Sequence, residues 1–417
     1  MQLADDKEFN QLAEAVQKAF GRAARHIHNK KVYKPEMLTD EPVRELIEAT
    51  NRALVEPLHR LALNEEVSFD LQTALEQNTF VFSGFKTHHE LTEAAQLLKG
   101  DDGRFKPFNQ FRTDIEALNQ NYNGNYLRAE YNFATASTQM AAKWQQWAED
   151  GDEYNLQYRT ANDDRVREEH AALHGTTLPP SDPFWDSYLP PNGWNCRCTA
   201  VQVLKYKYPE SDSAKAIAAA AGITDTPKKQ IFRFNPGKQM KVFPPKHPYL
   251  PKGCGDCQYK RLVFDSEKEV CKACLKVDAA SVKWSREVTR KHYQKLIGDA
   301  KNIKWTIDNG GVDELTVIYQ DIKTVTGKPH NYPYARNMSV YYLKPLMKQA
   351  KYLGWADDIK GSGTPGHTDD TIWHYYEIPF LKQKSYLVVK EAEGVKRIHH
   401  IQDDEHFDMN KIKHRVK

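Results

Sequence analysis

Cysteine is scarce in this chain: six in 417 residues, all of them in close pairs. Such pairs fit metal ligands, with two disulfides or mere proximity as the alternative, and a reducing setting favours metal. Long apolar runs are missing too. No window reaches the roughly 18 to 20 apolar residues of a membrane-spanning helix; the nearest approach, Ala218 to Ala221 with Ile217 and Ile223, is short and alanine-based. Strong charge of one sign is absent, with 59 Lys and Arg against 56 Asp and Glu for a formal net of +3. A balance that close selects no polyanionic partner. The first residues, Met1-Gln2-Leu3-Ala4-Asp5-Asp6, lack the basic start and apolar stretch of a signal peptide. A reducing, cytoplasmic setting is therefore expected. Internal repeats and long low-complexity tracts are also lacking, which excludes solenoids.

What remains is a globular composition, 40% hydrophobic and 28% charged, in a chain long enough for two to four domains. Charge is unevenly spread. From Ser281 onward there are 23 Lys or Arg against 17 Asp or Glu and eight of the 16 histidines, whereas the first 280 residues are net acidic. Four regions are expected: a helical region over 1–150, an irregular segment over 151–206, a connector over 207–280 and a basic α+β domain over 281–417.

The connector contains Cys254-x2-Cys257 and Cys271-x2-Cys274, separated by 13 residues. Two knuckles of that spacing present four thiolates tetrahedrally, and zinc suits such soft ligands without redox chemistry. Four protein ligands leave no open position, so the expected Zn2+ is structural, coupled to local folding. The two fingers are not followed by a helix with a dense basic face, which argues against sequence-specific DNA binding. Phe232 to Pro251 reads as an extended lead-in to this element.

In the first region, Phe9, Leu12, Val16 and Phe20 fall on one side of a helix, and Asp40 or Thr39 caps a second helix with Pro42 in its first turn. Thr87-His-His-Glu90 has capping-box spacing, with Gly100 as the stop. Asn123 to Glu149 predicts a long helix carrying Tyr126, Tyr131, Phe133, Trp144 and Trp147, aromatics for a bundle core or a partner subunit. The periodicity changes at Gly151. A further helix is expected over Ser211 to Ala221 with Gly222 at its end. In the last region, Leu315 to Val325 fits helix or strand, Ser339 to Leu353 fits a helix stopped by Gly354, and Gly361 to Gly366 fits a turn. Ile372 to Ile378, Ser385 to Lys390 and Val395 to Ile401 fit strands of a small antiparallel sheet.

The irregular segment is the most specific. It contains Asp163, Arg165, Arg167, His170 and His174, then Asp182-Pro-Phe184-Trp185-Asp186, Pro190-Pro191-Asn-Gly193-Trp194 and Cys196-Arg197-Cys198. On extended backbone Arg165 and Arg167 share a face, and each guanidinium suits a bidentate pair with Asp163, Asp182 or Asp186. Trp185 and Trp194 supply apolar mass to a loop-rich stretch. Three uses stay open for His170, His174, Cys196 and Cys198: a metal site, a hydrogen-bonded thiol-imidazole core, or catalysis with Asp163, His170 and Cys196. These residues closely resemble the Mu F-like family of phage head-morphogenesis (minor head) proteins, and with the preceding helices the resemblance extends over roughly Met1 to Tyr206. It implies a minor structural protein of a tailed phage or prophage with the portal and/or major capsid protein as partners. Its implied places are the host cytoplasm during assembly and the virion head.

From His330 onward the chain loosely resembles phage-encoded barnase/EndoU/colicin/RelE-like nuclease domains. That resemblance implies an RNA substrate and an immunity protein; a purely structural domain that binds portal, capsid protein or packaged DNA is the alternative. Metal-independent RNA cleavage needs a base, an acid and cations at the phosphorane. The candidates are His330, Arg336, His374 and one of His399 and His400, since neighbouring strand residues face opposite ways and His399 is preferred. Asn331, Tyr332 and Tyr334 flank the first of these, and Tyr341 and Tyr342 are further candidates for stacking on bases. Lys382 and Lys384 suit an exposed hairpin. The fold class expected is α+β and multidomain: a helical N-terminal region with the irregular motif, a four-cysteine zinc element, and a C-terminal α+β domain with a small antiparallel sheet.

Overall fold

The computed structural model describes residues 6–62, 67–250, 272–307, 309–358, 370–380 and 383–415. It divides into two compact units that part between Ala280 and Ser281. The architecture is α+β, helical at the N-terminal end with a sheet domain at the C-terminal end.

The first unit begins with α1 (Asp6–Lys30), α2 (Glu41–Ala62) and α3 (Phe69–Gln96). Phe9, Val16 and Phe20 of α1 are buried as their spacing requires, and Phe9 packs edge-on against Tyr131. Helix α3 starts at Ser68, whose hydroxyl accepts the Leu71 N–H at 3.3 Å. The Thr87-x-x-Glu90 spacing therefore marks no helix start. Both residues are buried inside α3, because neither a proline nor a left-handed glycine interrupts the run. Gly84 inside that helix is a close-approach residue, since a Cβ there meets Val277 at 2.7 Å.

After α4 (Phe108–Asp114) and α5 (Glu116–Gln120) the chain widens into a π-helical turn, Asn121–Tyr126, and continues as α6 (Leu127–Asp150). Tyr131, Phe133, Trp144 and Trp147 are buried, while Tyr126 is exposed. The carbonyl of Tyr122 in the π turn accepts Lys86 Nζ at 2.7 Å, and Lys86 also forms a fully buried ion pair with Glu130. Tyr249 donates to the same Glu130 carboxylate. Beside them Asn123 Nδ2 donates to Glu90 Oε2 at 3.1 Å. Burial pushes the Glu90 carboxyl up to about 8, against the pull of Lys86.

Gly151 closes α6 with φ +61°. Then follow β1 (Asn155–Arg159), α7 (Glu168–Ala171), β2 (Thr177–Leu178), α8 (Phe184–Tyr188) and β3 (Thr199–Val203). The strands form an antiparallel sheet in the order β2-β1-β3. Its apolar residues Leu156, Tyr158, Leu178 and Ala200 join Trp185, Phe184 and Trp144 in one core. Helices α9 (Ser213–Ala220), α10 (Pro227–Gln230) and α11 (Pro236–Gln239) complete the unit. Gly222 does not stop α9; it continues into a 3₁₀ turn, Ala221–Thr224. Nor is 232–249 an extended lead-in. Phe232, Phe234, Phe243 and Tyr249 are buried, the Phe243 ring lies 3.7 Å from that of Phe82, and Gly237 sits against Trp144. Burial of these aromatics outweighs the local bias of the neighbouring prolines and lysines toward solvent-exposed, extended chain.

Of the four-cysteine array, Cys254, Cys257 and Cys271 lie outside the described residues. Cys274 is buried in the first turn of α12 (Lys272–Ile297), a helix that begins nine residues before the expected start at Ser281.

The second unit contains β4 (Asn302–Thr306), β5 (Glu314–Ile318), α13 (Tyr319–Val325), α14 (Pro333–Tyr341), α15 (Leu343–Gln349), β6 (Lys351–Asp357), β7 (Ile372–Phe380), β8 (Gln383–Ala392), β9 (Val395–Asp403) and β10 (His414–Arg415). The sheet is larger than expected, seven strands in the order β10-β6-β7-β8-β9-β5-β4. It is also mixed, because β5 and β9 pair in parallel through Thr316 and Arg397. The three predicted strands fall in β7, β8 and β9. Gly354 does not end a helix; it lies within β6 at a register shift, with φ +134°, where a Cβ would collide with the His414 carbonyl. The expected turn over 361–366 lies outside the described residues.

Candidate functional site

The geometry of the irregular segment follows from two local devices. Asn162 adopts φ +55° and the Val166 N–H donates to the Asp163 carbonyl at 3.2 Å, so the chain turns where extended backbone was expected. Arg165 and Arg167 therefore do not share the expected carboxylate partner, although both border the same cleft. Arg165 is 75% exposed and 3.6 Å from Asp163, while Arg167 donates to the Trp194 carbonyl at 2.8 Å. The bidentate partner of Asp163 is Arg197, with both bonds at 2.6 Å. These bonds hold the Asp163 carboxyl down to about 2. Asp182 instead accepts the Phe184 N–H at 2.8 Å and the Ser213 hydroxyl at 3.0 Å, and Asp186 pairs with Lys238.

The second device is the entry into β3. Asn195 has φ +57° and its Oδ1 accepts from Asn132 Nδ2 at 3.0 Å. Cys196, Arg197 and Cys198 follow this turn and lead into β3 at Thr199. Sequence reasoning overlooked Arg197, although its place between two cysteines was the available signal. The thiols meet His170 of α7: Nδ1 is 3.7 Å from Cys196 Sγ and 3.6 Å from Cys198 Sγ. All three side chains are buried, and their donor atoms lie within 4.8 Å of one another, so the group offers a metal ion three ligands. His174 is not part of it; its Nδ1 is engaged by the Thr160 N–H and hydroxyl at 3.2 and 2.9 Å. Hydrogen bonds from Cys198 and then His170 hold the Cys196 thiol well below its ordinary range, and Cys198 is correspondingly pushed up. A cleft of about 340 Å³ opens beside the cluster, lined also by Arg165, Arg167, Asn195 and Arg197.

In the second unit the candidate residues are dispersed. His330 is buried, with Nε2 2.9 Å from Asp403 Oδ1 and Nδ1 accepting the Tyr332 N–H at 2.9 Å. Arg336 is buried and donates to the carbonyls of Lys328 and Thr326 at 2.6 and 3.1 Å and to Asn337 Oδ1 at 3.0 Å. Burial, then the neighbouring Arg286, pushes its guanidinium down to about 10. His374 binds Glu391 at 2.8 Å and the Tyr352 hydroxyl at 3.0 Å.

Strand pairing places His374 in one row with Val389 and Ile398, and Tyr375 in the next row with Val388 and His400. Adjacent rows face opposite sides of a sheet, so His374 and His400 point away from each other. The pairing skips His399, which forms a bulge. The bulge removes the strict alternation on which the choice between His399 and His400 rests: their Nδ1 atoms are 2.6 Å apart and the His399 ring lies 4.8 Å from Trp373. The contacts of these residues differ: Asp403 for His330, the Lys328 and Thr326 carbonyls for Arg336, Glu391 and Tyr352 for His374, and His400 and Trp373 for His399. Tyr334 is buried and stacks on Trp284, as a core residue does. Lys384 pairs with Glu377 of the adjacent strand at 3.0 Å, and Lys382 lies outside the described residues.

Residues 106–201 match a family model described as Phage Mu protein F like protein. The match begins at the approach to α4 and ends in β3, so it covers less of the N-terminal half than the motif resemblance implied. The chain is 42% identical over 73 residues to "Putative capsid assembly protein F" of Escherichia phage Mu, covering 17% of each chain. It is 40% identical over 67 residues, 16% of each, to "Mu-like prophage FluMu F protein" of Haemophilus influenzae. The matched stretch thus spans about a sixth of the length of these curated relatives. No solved structure matches. No helix among the described residues is long and apolar enough to cross a membrane. Residues 106–201 are thus similar to the Phage Mu protein F like family.

Proposed function

We propose that this protein is a minor head protein of a tailed phage or prophage, acting during head assembly in the host cytoplasm and retained in the virion head. Its partners are the portal and/or the major capsid protein. The observation that carries this reading is the Mu F-like match over residues 106–201. Support also comes from the use made of the motif residues, with Asp163, Arg197, Asp182 and Trp185 fastening irregular backbone into one core. Such a surface is built to be held in one shape for docking.

The test is co-expression with the portal and major capsid proteins of the same phage or prophage. The chain is expected to co-sediment with assembled heads, and a D163A/R197A variant to be depleted from them. Infectious heads of normal composition assembled without the chain sink the reading.

For the second unit, binding to portal, capsid protein or packaged DNA is favoured over an RNase-like effector with its immunity partner. His330 and Arg336 engage Asp403 and backbone carbonyls, and His374 is held by Glu391 and Tyr352 while His399 lies against His400 and Trp373. Full-length chain incubated with labelled RNA in EDTA is expected to leave the RNA intact. Cleavage that disappears with His374→Ala or His399→Ala overturns this preference. The Cys254/Cys257/Cys271/Cys274 spacing supports a structural zinc in the connector. Chelation is then expected to unfold that stretch locally, seen as faster hydrogen exchange from 250 to 280.

A further inference from the structure

We propose that His170 Nδ1, Cys196 Sγ and Cys198 Sγ bind a zinc ion of their own, distinct from the Cys254/Cys257/Cys271/Cys274 array, with its fourth position open to the adjacent cleft. The inference does not depend on the head-assembly reading.

The donor spacing is the first support. Zinc bonds of about 2.0–2.1 Å to imidazole nitrogen and about 2.3 Å to thiolate, set at a tetrahedral angle, put nitrogen and sulfur about 3.6 Å apart. The observed separations are 3.7 and 3.6 Å. A hydrogen-bonded thiol-imidazole pair explains one such contact. It does not explain two, because a single ring nitrogen has one lone pair or one proton to offer. Backbone placement is the second support. The Cys-x-Cys pair lies between the Asn195 turn and β3, and α7 supplies His170, so the donors converge from two separate segments. The third support is chemistry: two thiolates and an imidazole form a soft-to-borderline set that suits zinc over magnesium or calcium.

The open position follows from the ligand count and the surroundings. Three donors converge among the described residues, one short of a closed structural site. The cluster borders a cleft of about 340 Å³ whose rim carries Arg165, Arg167 and Arg197. Two of these guanidiniums already hold Asp163 and the Trp194 carbonyl, while Arg165 is largely exposed. A cationic rim around a zinc ion selects a small anion or a carboxylate group as the fourth ligand.

X-ray absorption at the zinc edge on the unmodified full-length chain tests the proposal without altering the fold. Outer-shell imidazole scattering is expected, since the four-cysteine array contributes none; a pure sulfur shell overturns the proposal. In a full-length C254S/C257S variant roughly one zinc per chain is expected to remain, and to be lost when Cys196→Ser and Cys198→Ser are added. Equal zinc content in those two proteins overturns it as well. Cobalt-loaded C254S/C257S is expected to show thiolate charge-transfer absorption, and its ligand-field bands to shift on addition of azide. Bands indifferent to azide exclude the open position.

Discussion

Replacing Lys86 with methionine is expected to destabilise the first unit by about 3–5 kcal/mol, the range for breaking a buried ion pair from one side. Lys86 is fully buried and Glu130 nearly so. Removing the ammonium leaves the Glu130 carboxylate with only the Tyr249 hydroxyl among its contacts described above, and it leaves the Tyr122 carbonyl without its Lys86 bond. The methionine fills most of the volume, so the loss is electrostatic and not a cavity effect. The double variant K86M/E130Q is the control. With both charges gone and an acceptor kept for Tyr249, most of the loss is expected to return. Because the chain has two units, urea unfolding is best followed by hydrogen exchange of α3 and α6 peptides, which isolates the first unit. A single variant within about 1 kcal/mol of the parent sinks the assignment of a buried pair.

Stability of the same unit is expected to fall as pH rises from about 4.5 to about 8, the interval between the ordinary and the folded-state titration of Glu90. The sign follows from proton counting. Burial raises the folded value, so between these limits the unfolded chain has released the Glu90 proton while the folded chain retains it, and each step upward in pH favours unfolding. Below the interval both states are protonated and the contribution is fully present; above it the contribution is lost. A shift of this size corresponds to roughly 5 kcal/mol over the whole interval. One carboxyl oxygen accepts from Asn123 Nδ2 and the other is buried without a partner among the described residues, where a proton is less costly than a charge. Glu90→Gln is expected to flatten the slope while keeping the Asn123 bond. Parallel pH profiles for parent and variant, by the same exchange measurement, count against it.

Much of the candidate site was legible because its chemistry is local. Cys196 and Cys198 at a spacing of two, His170 nearby and the Trp185 and Trp194 anchors are readable without coordinates, and the Mu F-like match lies over the same stretch. The pairing of Asp163 was not legible. A turn at Asn162 takes Arg165 and Arg167 out of register and hands the carboxylate to Arg197, 34 residues away. The same limit explains the second unit. Strands β7, β8 and β9 announce themselves by alternation, yet the bulge at His399 inserts one residue into the ladder and defeats a strict two-residue count. The nuclease candidates were gathered by residue type, and type does not tell which face of a sheet a histidine occupies.

The aromatic strap over 232–249 fails in another way. Its prolines and lysines look like a tether, whereas Phe243 and Tyr249 find partners on α3 and α6 more than a hundred residues earlier. The amino-acid order alone determined the class of the fold, the helical start, the main strands and the thiol-imidazole donors, because each depends on neighbours within a few positions. Tertiary structure decided which charges pair, which rings are buried and which histidines never meet. Those outcomes depend on burial and on long-range contact, and a burial free energy is set only once distant segments close over one another.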